Sequence, residues 1–262
     1  MDLKQSDFQE IRKQIYDYCG INLHEGKRAL VRARVMKRLR KLELNNFSHY
    51  IDYLKKDASG KEFLALVDVL TTNKTSFFRE DQHFDFIRDT VIPEMRGRNV
   101  KWWSAGCSTG EEPISCSIVL QEEKVPLQSV KILGTDISRE VIQIAKRGVY
   151  PQKRVKNISP EIRNRYFRKV QGHGYQIRGE TRKMITYGRL NLKKQWPLQG
   201  PFHVIMCRNV MIYFNRATQQ ELVLRFKQIL EPGGYLFLGH SESVSNAGVG
   251  FKNIRPAVYK KQ

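Results

Sequence analysis

Two rhythms of apolar and polar positions divide the chain. Up to about residue 70 the apolar residues recur at helical spacing, first Phe8, Ile11, Ile15 and Tyr18, then Phe63, Leu66, Val67 and Leu70, which predicts an all-helical part. Between these runs Lys27 to Lys41 reads KRALVRARVMKRLRK, with eight basic residues and no acid. On a helix Val31, Val35, Leu39 and Leu42 share one arc, and Lys27, Arg34, Lys37, Arg38 and Lys41 share another. The second arc is expected to be a basic stripe, solvated or partner-binding, because the run itself offers no acid for i,i+4 pairs.

From about residue 99 strands alternate with helices, the grammar of a wound α/β domain. NVKWWSAGCSTGEEP predicts a strand over Val100 to Ser104, a small-residue turn over Ala105 to Gly110, and a helix opening at Glu111 with Pro113 in its first turn. VKILGTDIS predicts a strand ending at Asp136, PFHVIMCRNVMIYF one ending near Cys207, and GGYLFLGHSES a late strand after a Gly233-Gly234 turn. Parallel strands of this kind lie in a sheet covered by helices on both faces. Between Tyr166 and Leu190, bulky and charged residues alternate around Gly172-His173-Gly174 and Gly179, which predicts a small antiparallel hairpin unit inserted into the α/β domain, with His173 at a turn tip. The expected boundaries are a basic helical domain over 1–72, a linker segment contributing to the active site over 73–98, and the α/β domain over 99–262 with its insert at about 166–190.

Composition and charge narrow the class. The 262 residues are 40% apolar and 10% aromatic, enough for a substantial core. Forty-six Lys and Arg against 26 Asp and Glu leave a formal charge of +20, which favours a polyanionic partner without choosing among nucleic acid, anionic membrane and acidic protein. MDLKQSDFQEIRKQ has no apolar leader region and no later run approaches the roughly 20 apolar residues of a membrane span, so a cytoplasmic protein is expected. Cys19, Cys107, Cys116 and Cys207 are scattered with no CxxC pair, which argues against a disulfide framework or a zinc site; reduced, half-buried thiols and no metal centre are expected.

A strand, a small-residue turn, a helix and an acid ending the next strand form an apparatus for a ligand that carries a ribose. The turn admits the backbone to the ligand, and Asp136, 26 residues after Gly110, can accept bonds from ribose hydroxyls. Ser108, Thr109 and then Glu111-Glu112 replace the glycines of a pyrophosphate-binding turn, and acids at a helix start repel phosphate. They suit a ligand with a cationic amino group, such as S-adenosylmethionine, and equally suit an ordinary acidic first turn. TTNKTSFFRE, Thr71 to Glu80, is either a helix start with Thr75 as N-cap or a polar segment laid across a ligand.

NKTSFFR, WWSAGCSTGEEP, TDIS, Asn191-Leu192 and CRNVMIYF, in this order, resemble the chemotaxis receptor methyltransferases of the CheR family. The resemblance runs over nearly the whole chain, from the basic helical part through the hairpin unit to Pro232-Gly233-Gly234. It implies a Rossmann-like S-adenosylmethionine-dependent methyltransferase fold. It also implies transfer of a methyl group from S-adenosylmethionine, leaving S-adenosylhomocysteine, to glutamate side chains of membrane chemoreceptors, which become methyl esters. Residue by residue, Asn73 and Thr75 are expected to bond polar parts of the cofactor, Arg79 its carboxylate or the target glutamate, Glu112 its methionine end and Asp136 its ribose. Asn191, Leu192, Arg208 and Asn209 are expected to close the pocket, and Tyr213 to face the substrate, so that Arg79 and Tyr213 are the catalytic candidates. The stripe of Lys27, Arg34, Lys37, Arg38 and Lys41 is expected to lie along the acidic cytoplasmic region of the receptor. Lys74 departs from the family pattern, which commonly reads Glu there. A monomer is expected, meeting the membrane only through the receptor and without a nucleic-acid partner. Two alternatives remain: a nucleic-acid methyltransferase, although the Asn/Asp-Pro-Pro-aromatic core is missing, and a non-catalytic S-adenosylmethionine sensor.

Overall fold

The apolar spacing of the first seventy residues becomes four helices in the computed structural model, which describes residues 2–172, 174–244 and 250–262; His173 lies outside them. They are α1 (Gln5–Cys19), α2 (Arg28–Lys41), α3 (Phe47–Lys56) and α4 (Lys61–Leu70). Phe8, Ile11 and Ile15 of α1, Val31, Val35 and Leu39 of α2, and Leu66, Val67 and Leu70 of α4 meet in one core. Helix α3 carries no such signal in the expected pattern, yet it adds Phe47, Tyr50, Ile51 and Leu54 to that core. Its start is fixed by the Asn46 side chain, which accepts the His49 N–H at 2.8 Å.

The polar side of α2 corrects the expected stripe. Arg34 donates to the carbonyl oxygens of Leu70 and Thr71 at 2.8 and 3.0 Å, tying α2 to the end of α4. Arg38 forks onto both oxygens of the buried Glu62, at 2.8 and 2.5 Å, and the Tyr50 hydroxyl donates to the same carboxylate at 2.8 Å. The acid missing from α2 is supplied by α4, so two of the five cations hold the helical domain together. Lys37 and Lys41 remain exposed and Lys27 is half-buried.

The segment expected as a linker is partly a helix of the α/β domain. Its second half runs from α5 (Gln82–Phe86) through a π-helical turn, Ile87–Val91, into α6 (Ile92–Met95). Phe84, Ile87 and Val91 are buried there in the same cluster as Trp102 and Phe237, which is why this stretch folds with the sheet instead of spanning between domains.

The main sheet follows with β1 (Val100–Ala105), α7 (Glu111–Glu122), β2 (Val130–Asp136), α8 (Arg139–Arg147), β6 (Ile185–Arg189), β7 (Phe202–Cys207), α12 (Arg216–Ile229), β8 (Leu230–Leu238), β9 (Phe251–Arg255) and β10 (Val258–Lys261). Strand order is β6-β2-β1-β7-β8-β10-β9. The first five run parallel, and β10 pairs antiparallel with both β8 and β9. The result is a Rossmann-like doubly wound fold in which the chain leaves β1 toward β2 and returns on the other side at β7, so a crevice opens beyond the carboxyl ends of β1 and β7. Pro232-Gly233-Gly234 is not a turn before the last parallel strand. It lies within β8, where the strand advances from Leu230 to Tyr235 while β7 advances only from Phe202 to Val204, and Gly233 takes φ 77°.

Between α8 and β6 lies the insert: β3 (Val149–Tyr150), α9 (Gln152–Val155), α10 (Pro160–Tyr166), β4 (Phe167–Val170), β5 (Gly174–Ile177) and α11 (Gly179–Lys183). The β4–β5 antiparallel pair is the expected hairpin, and β3 adds a third strand. The expected unit reaches too far at its end, because Ile185–Arg189 pairs parallel with β2 as an edge of the main sheet. All four cysteines are free and fully buried, deeper than expected. Among the described residues no helix is long and apolar enough to cross a membrane.

Candidate active site

At the end of β1 the chain turns through Gly106, at φ 91°, and Ser108, at φ 49°, and enters α7 by Gly110, at φ 94°. A Cβ on Gly106 would lie 2.4 Å from Cγ2 of Val210, and one on Gly110 would lie 2.9 Å from Cβ of Ala145. Only glycine combines these angles with so close an approach. The turn is held by Asp136 at the end of β2: one carboxylate oxygen accepts the Ser108 N–H and the other the Ser138 N–H, both at 2.9 Å. Burial raises the Asp136 carboxyl above its usual range despite these bonds. Each oxygen keeps a further lone pair for a ligand hydroxyl.

Glu112, in the first turn of α7, accepts the Ser104 hydroxyl at 2.6 Å and an Arg208 N–H at 3.0 Å. Burial pushes this carboxyl up as well, and the Arg208 charge opposes the push. Its neighbour Glu111 turns away, bonded by Thr109 at 2.5 Å and Arg154 at 3.0 Å. Arg208 is buried, and its other arm donates to the Arg79 carbonyl and, at 3.0 Å, to Glu80. It therefore bridges two acids. Asn209, at φ 58°, donates from its side chain to Glu80 at 3.1 Å and from its backbone to Glu242 at 2.8 Å. Burial raises the Glu80 carboxyl, but Arg208 and Asn209 more than offset this and hold it below its usual range. Glu80 and Glu242 position the cleft and were missed by the sequence reading, although both lie in quoted stretches. What distinguishes them is a partner more than a hundred residues away for Glu80 and the backbone of a distant loop for Glu242.

Thr71 to Glu80 contains no helix, so Thr75 is not an N-cap; the next helix begins at Gln82 under Asp81. Phe77 is buried edge-on to Tyr150 and Phe167, at 5.0 and 5.3 Å between ring centres, and the Phe78 N–H donates to the Ser115 hydroxyl at 3.0 Å. These contacts pin the segment to the α/β domain. The Asn73 carbonyl accepts the Ser108 hydroxyl at 3.1 Å, and Arg79 donates to the Lys74 carbonyl at 2.8 Å. Lys74 itself is exposed.

Asn73, Thr75, Arg79, Glu112, Asp136, Asn191, Leu192, Arg208, Asn209 and Tyr213 all line one cleft with about 1030 Å³ of empty space including its mouth. Lys27, Arg34, Lys37, Arg38 and Lys41 do not line it. The helical domain closes one wall with Cys19, Ile21 and Leu70, a contribution the sequence reading did not foresee. It is docked by the Asn22 N–H on the Tyr213 carbonyl, at 2.7 Å, and by Lys193 on the Tyr16 carbonyl, at 2.6 Å. Asn191, besides lining the cleft, donates from its side chain to the Tyr18 carbonyl at 2.7 Å and accepts the Lys193 N–H at 3.0 Å, so it also fastens the two domains. Tyr213 is half-buried, not a core ring, and its hydroxyl has no bonded partner among the described residues.

The donor set fits S-adenosylmethionine. Asp136 offers acceptors for a diol, Glu112 an anion for an ammonium, and Arg79 a cation for a carboxylate. Residues 6–71 match the family described as CheR methyltransferase, all-alpha domain, and residues 73–259 the one described as CheR methyltransferase, SAM binding domain. The chain is 34% identical, across 100% of its length and 96% of the relative's, to the chemotaxis protein methyltransferase of Borreliella burgdorferi. It is 39% identical to a probable chemotaxis protein methyltransferase of Rhizobium etli, over 94% of this chain and 96% of that one. To the chemotaxis protein methyltransferase of Escherichia coli it is 39% identical, over 93% and 86% of the two chains.

Proposed function

This chain belongs to the CheR methyltransferase family, and from that premise we propose that it methylates glutamate side chains of membrane chemoreceptors, forming methyl esters with S-adenosylmethionine as donor. The observation that carries the reading is the convergence of Arg79, Glu112, Asp136 and Tyr213 on one cleft at the carboxyl ends of the sheet.

When bound, S-adenosylmethionine supplies an electrophilic methyl group on a sulfonium. The residues around it need only bind, orient and exclude water. A glutamate carboxylate, with an ordinary pKa of about 4.3, is already the ionised nucleophile at neutral pH and needs no general base. The cleft agrees with this economy, since no histidine is among the described residues lining it. Its two thiols are poor nucleophiles: burial pushes Cys19 up to about 11 and raises Cys107 well above its usual value. Arg79 commits one hydrogen bond to a carbonyl and has further N–H groups for a substrate oxygen. The hydroxyl of Tyr213, without a partner among the described residues, is a second group on the cleft that can hold the carboxylate. Arg208 opposes the upward push of burial on Glu112, the acid offered to an ammonium, and Glu80 holds the other arm of Arg208. Charge neutralises as the nucleophile meets the sulfonium, so alignment in a water-poor cleft accounts for most of the acceleration.

Incubation with labelled S-adenosylmethionine and receptor-containing membranes, followed by alkali, tests the reading. Carboxyl methyl esters release volatile methanol. Label that stays alkali-stable on protein or nucleic acid would remove glutamate as the substrate.

A further inference from the structure

Behind Arg208, three side chains that do not line the cleft converge, one of which already holds Arg208 and Asn209 and two of which the methyl-transfer reading leaves without a task. They are Glu80, His83 and His240, and one ligand atom of each lies within 4.8 Å of the other two. His83 Nδ1 is 3.6 Å from Glu80 Oε2, and His240 Nε2 is 3.9 Å from the same oxygen, both beyond hydrogen-bond reach. His83 is 1% exposed, and neither of its ring nitrogens has a hydrogen-bond partner. A buried imidazole with both nitrogens bare is costly. Its ring is wedged between Phe237 and His240, edge-on to each at 5.5 and 5.0 Å, so packing holds it facing the cluster.

We propose that Glu80, His83 and His240 form a binding site for a divalent transition-metal ion of the zinc class. Two imidazoles, one carboxylate and a solvent water make a four-coordinate set of the kind such ions take, at bond lengths of about 2.0–2.2 Å. Ligand atoms in that geometry stand roughly 3.3 Å apart, so the cluster must contract by about an ångström. His240, 45% exposed on the loop after β8, supplies both the movement and the path from solvent. Both ring nitrogens of the buried His83 lack a hydrogen-bond partner, so one can turn a lone pair to the ion without breaking a bond. Arg208 and Arg255 are cations near the site and oppose an added dication. Glu80 Oε2 already accepts from Arg208 at 3.0 Å and would have to serve the ion as well, while Arg208 keeps Glu112 on its other arm at 3.0 Å.

The site is independent of the substrate assignment and is tested without activity. Isothermal titration of the full chain with zinc chloride is expected to show one binding event, and cobalt(II) to give visible absorption of a four-coordinate histidine site. His240→Ala, at an exposed position, and His83→Phe, which keeps the ring packing, should each weaken zinc on the order of tenfold or more, at least the effect of losing a mere supporting partner of a ligand. Thermal unfolding of both apo variants should stay close to the parent. Absence of zinc binding in the parent, or retention of parental affinity in either variant, overturns the proposal.

Discussion

Arg79 and Arg208 stand on the same cleft with opposite commitments. Arg208 is buried and shared between Glu112 and Glu80, whereas half-buried Arg79 holds only the Lys74 carbonyl. Arg79→Ala should therefore reduce methyl transfer by two or more orders of magnitude, on the scale of losing one positioned charge, with an unchanged unfolding midpoint. Near-parental turnover at saturating cofactor would remove Arg79 from the chemistry. Arg208→Ala leaves two acids uncompensated and should cost about 3 kcal/mol in denaturant unfolding. Glu112 and Asp136 both have carboxyls raised by burial, and the proposed function has each bind its ligand group in the ionised form. Raised values mean that protonation begins earlier on acidification. Calorimetric affinity for S-adenosylhomocysteine should thus decline at a pH above the ordinary carboxylate value of about 4. A flat affinity down to that value would show that neither acid contacts the ligand.

Among the elements, α2 shows how a face that looks free becomes committed. Arg34 and Arg38 are bonded to α4 and its end, so reversing them probes folding and not docking. Arg38→Glu places a second acid against the buried Glu62 and should destabilise the helical domain by about 3 kcal/mol or more, read as a lower denaturant midpoint. Docking is tested by the exposed Lys37 and Lys41. Lys37→Glu with Lys41→Glu should slow receptor methylation at low salt and flatten its salt dependence, leaving S-adenosylhomocysteine affinity unchanged, because exposed charges act within about 8 Å at physiological ionic strength. Equal rates and equal salt slopes in parent and variant would discard α2 as a docking element. Phe77 is the buried aromatic anchor of the segment Thr71 to Glu80, in the pocket of Tyr150 and Phe167. Phe77→Ala should cost about 3–5 kcal/mol and loosen the cleft wall, seen as lost stability together with weaker cofactor binding.

At the scale of the whole molecule the cleft is a joint product of two domains. The stretch after α1 reaches across to Tyr213, Asn191 and Lys193, and the sheet's carboxyl ends receive it. Cofactor binding and domain docking are thereby linked, since Cys19, Ile21 and Leu70 share the walls with Asp136 and Glu112. The positive charge of +20 is spread over both domains, and some of the cations are internally paired, as Arg38, Arg154 and Arg208 are with Glu62, Glu111 and Glu112. Such pairs cancel within the net charge, so the excess of +20 is carried by the remaining cations and is the field offered to a partner.

Local pattern determined the helical first domain, the strands ending at Asp136 and Cys207 and the glycine turn into Glu111, and the family resemblance of the motifs supplied the ten residues that meet in the cleft. Each rests on periodicity, on turn chemistry or on a motif whose members are close in sequence. Tertiary structure decided the rest. Whether Arg38 is free or paired depends on Glu62, 24 residues away; whether Ile185–Arg189 continues a hairpin or edges the main sheet depends on β2. That Asn191, besides lining the cleft, fastens two domains depends on the Tyr18 carbonyl. Long-range pairing chooses the partner of a charge, a strand edge or an amide, and sequence spacing carries no record of which distant group packing will bring within about 3 Å.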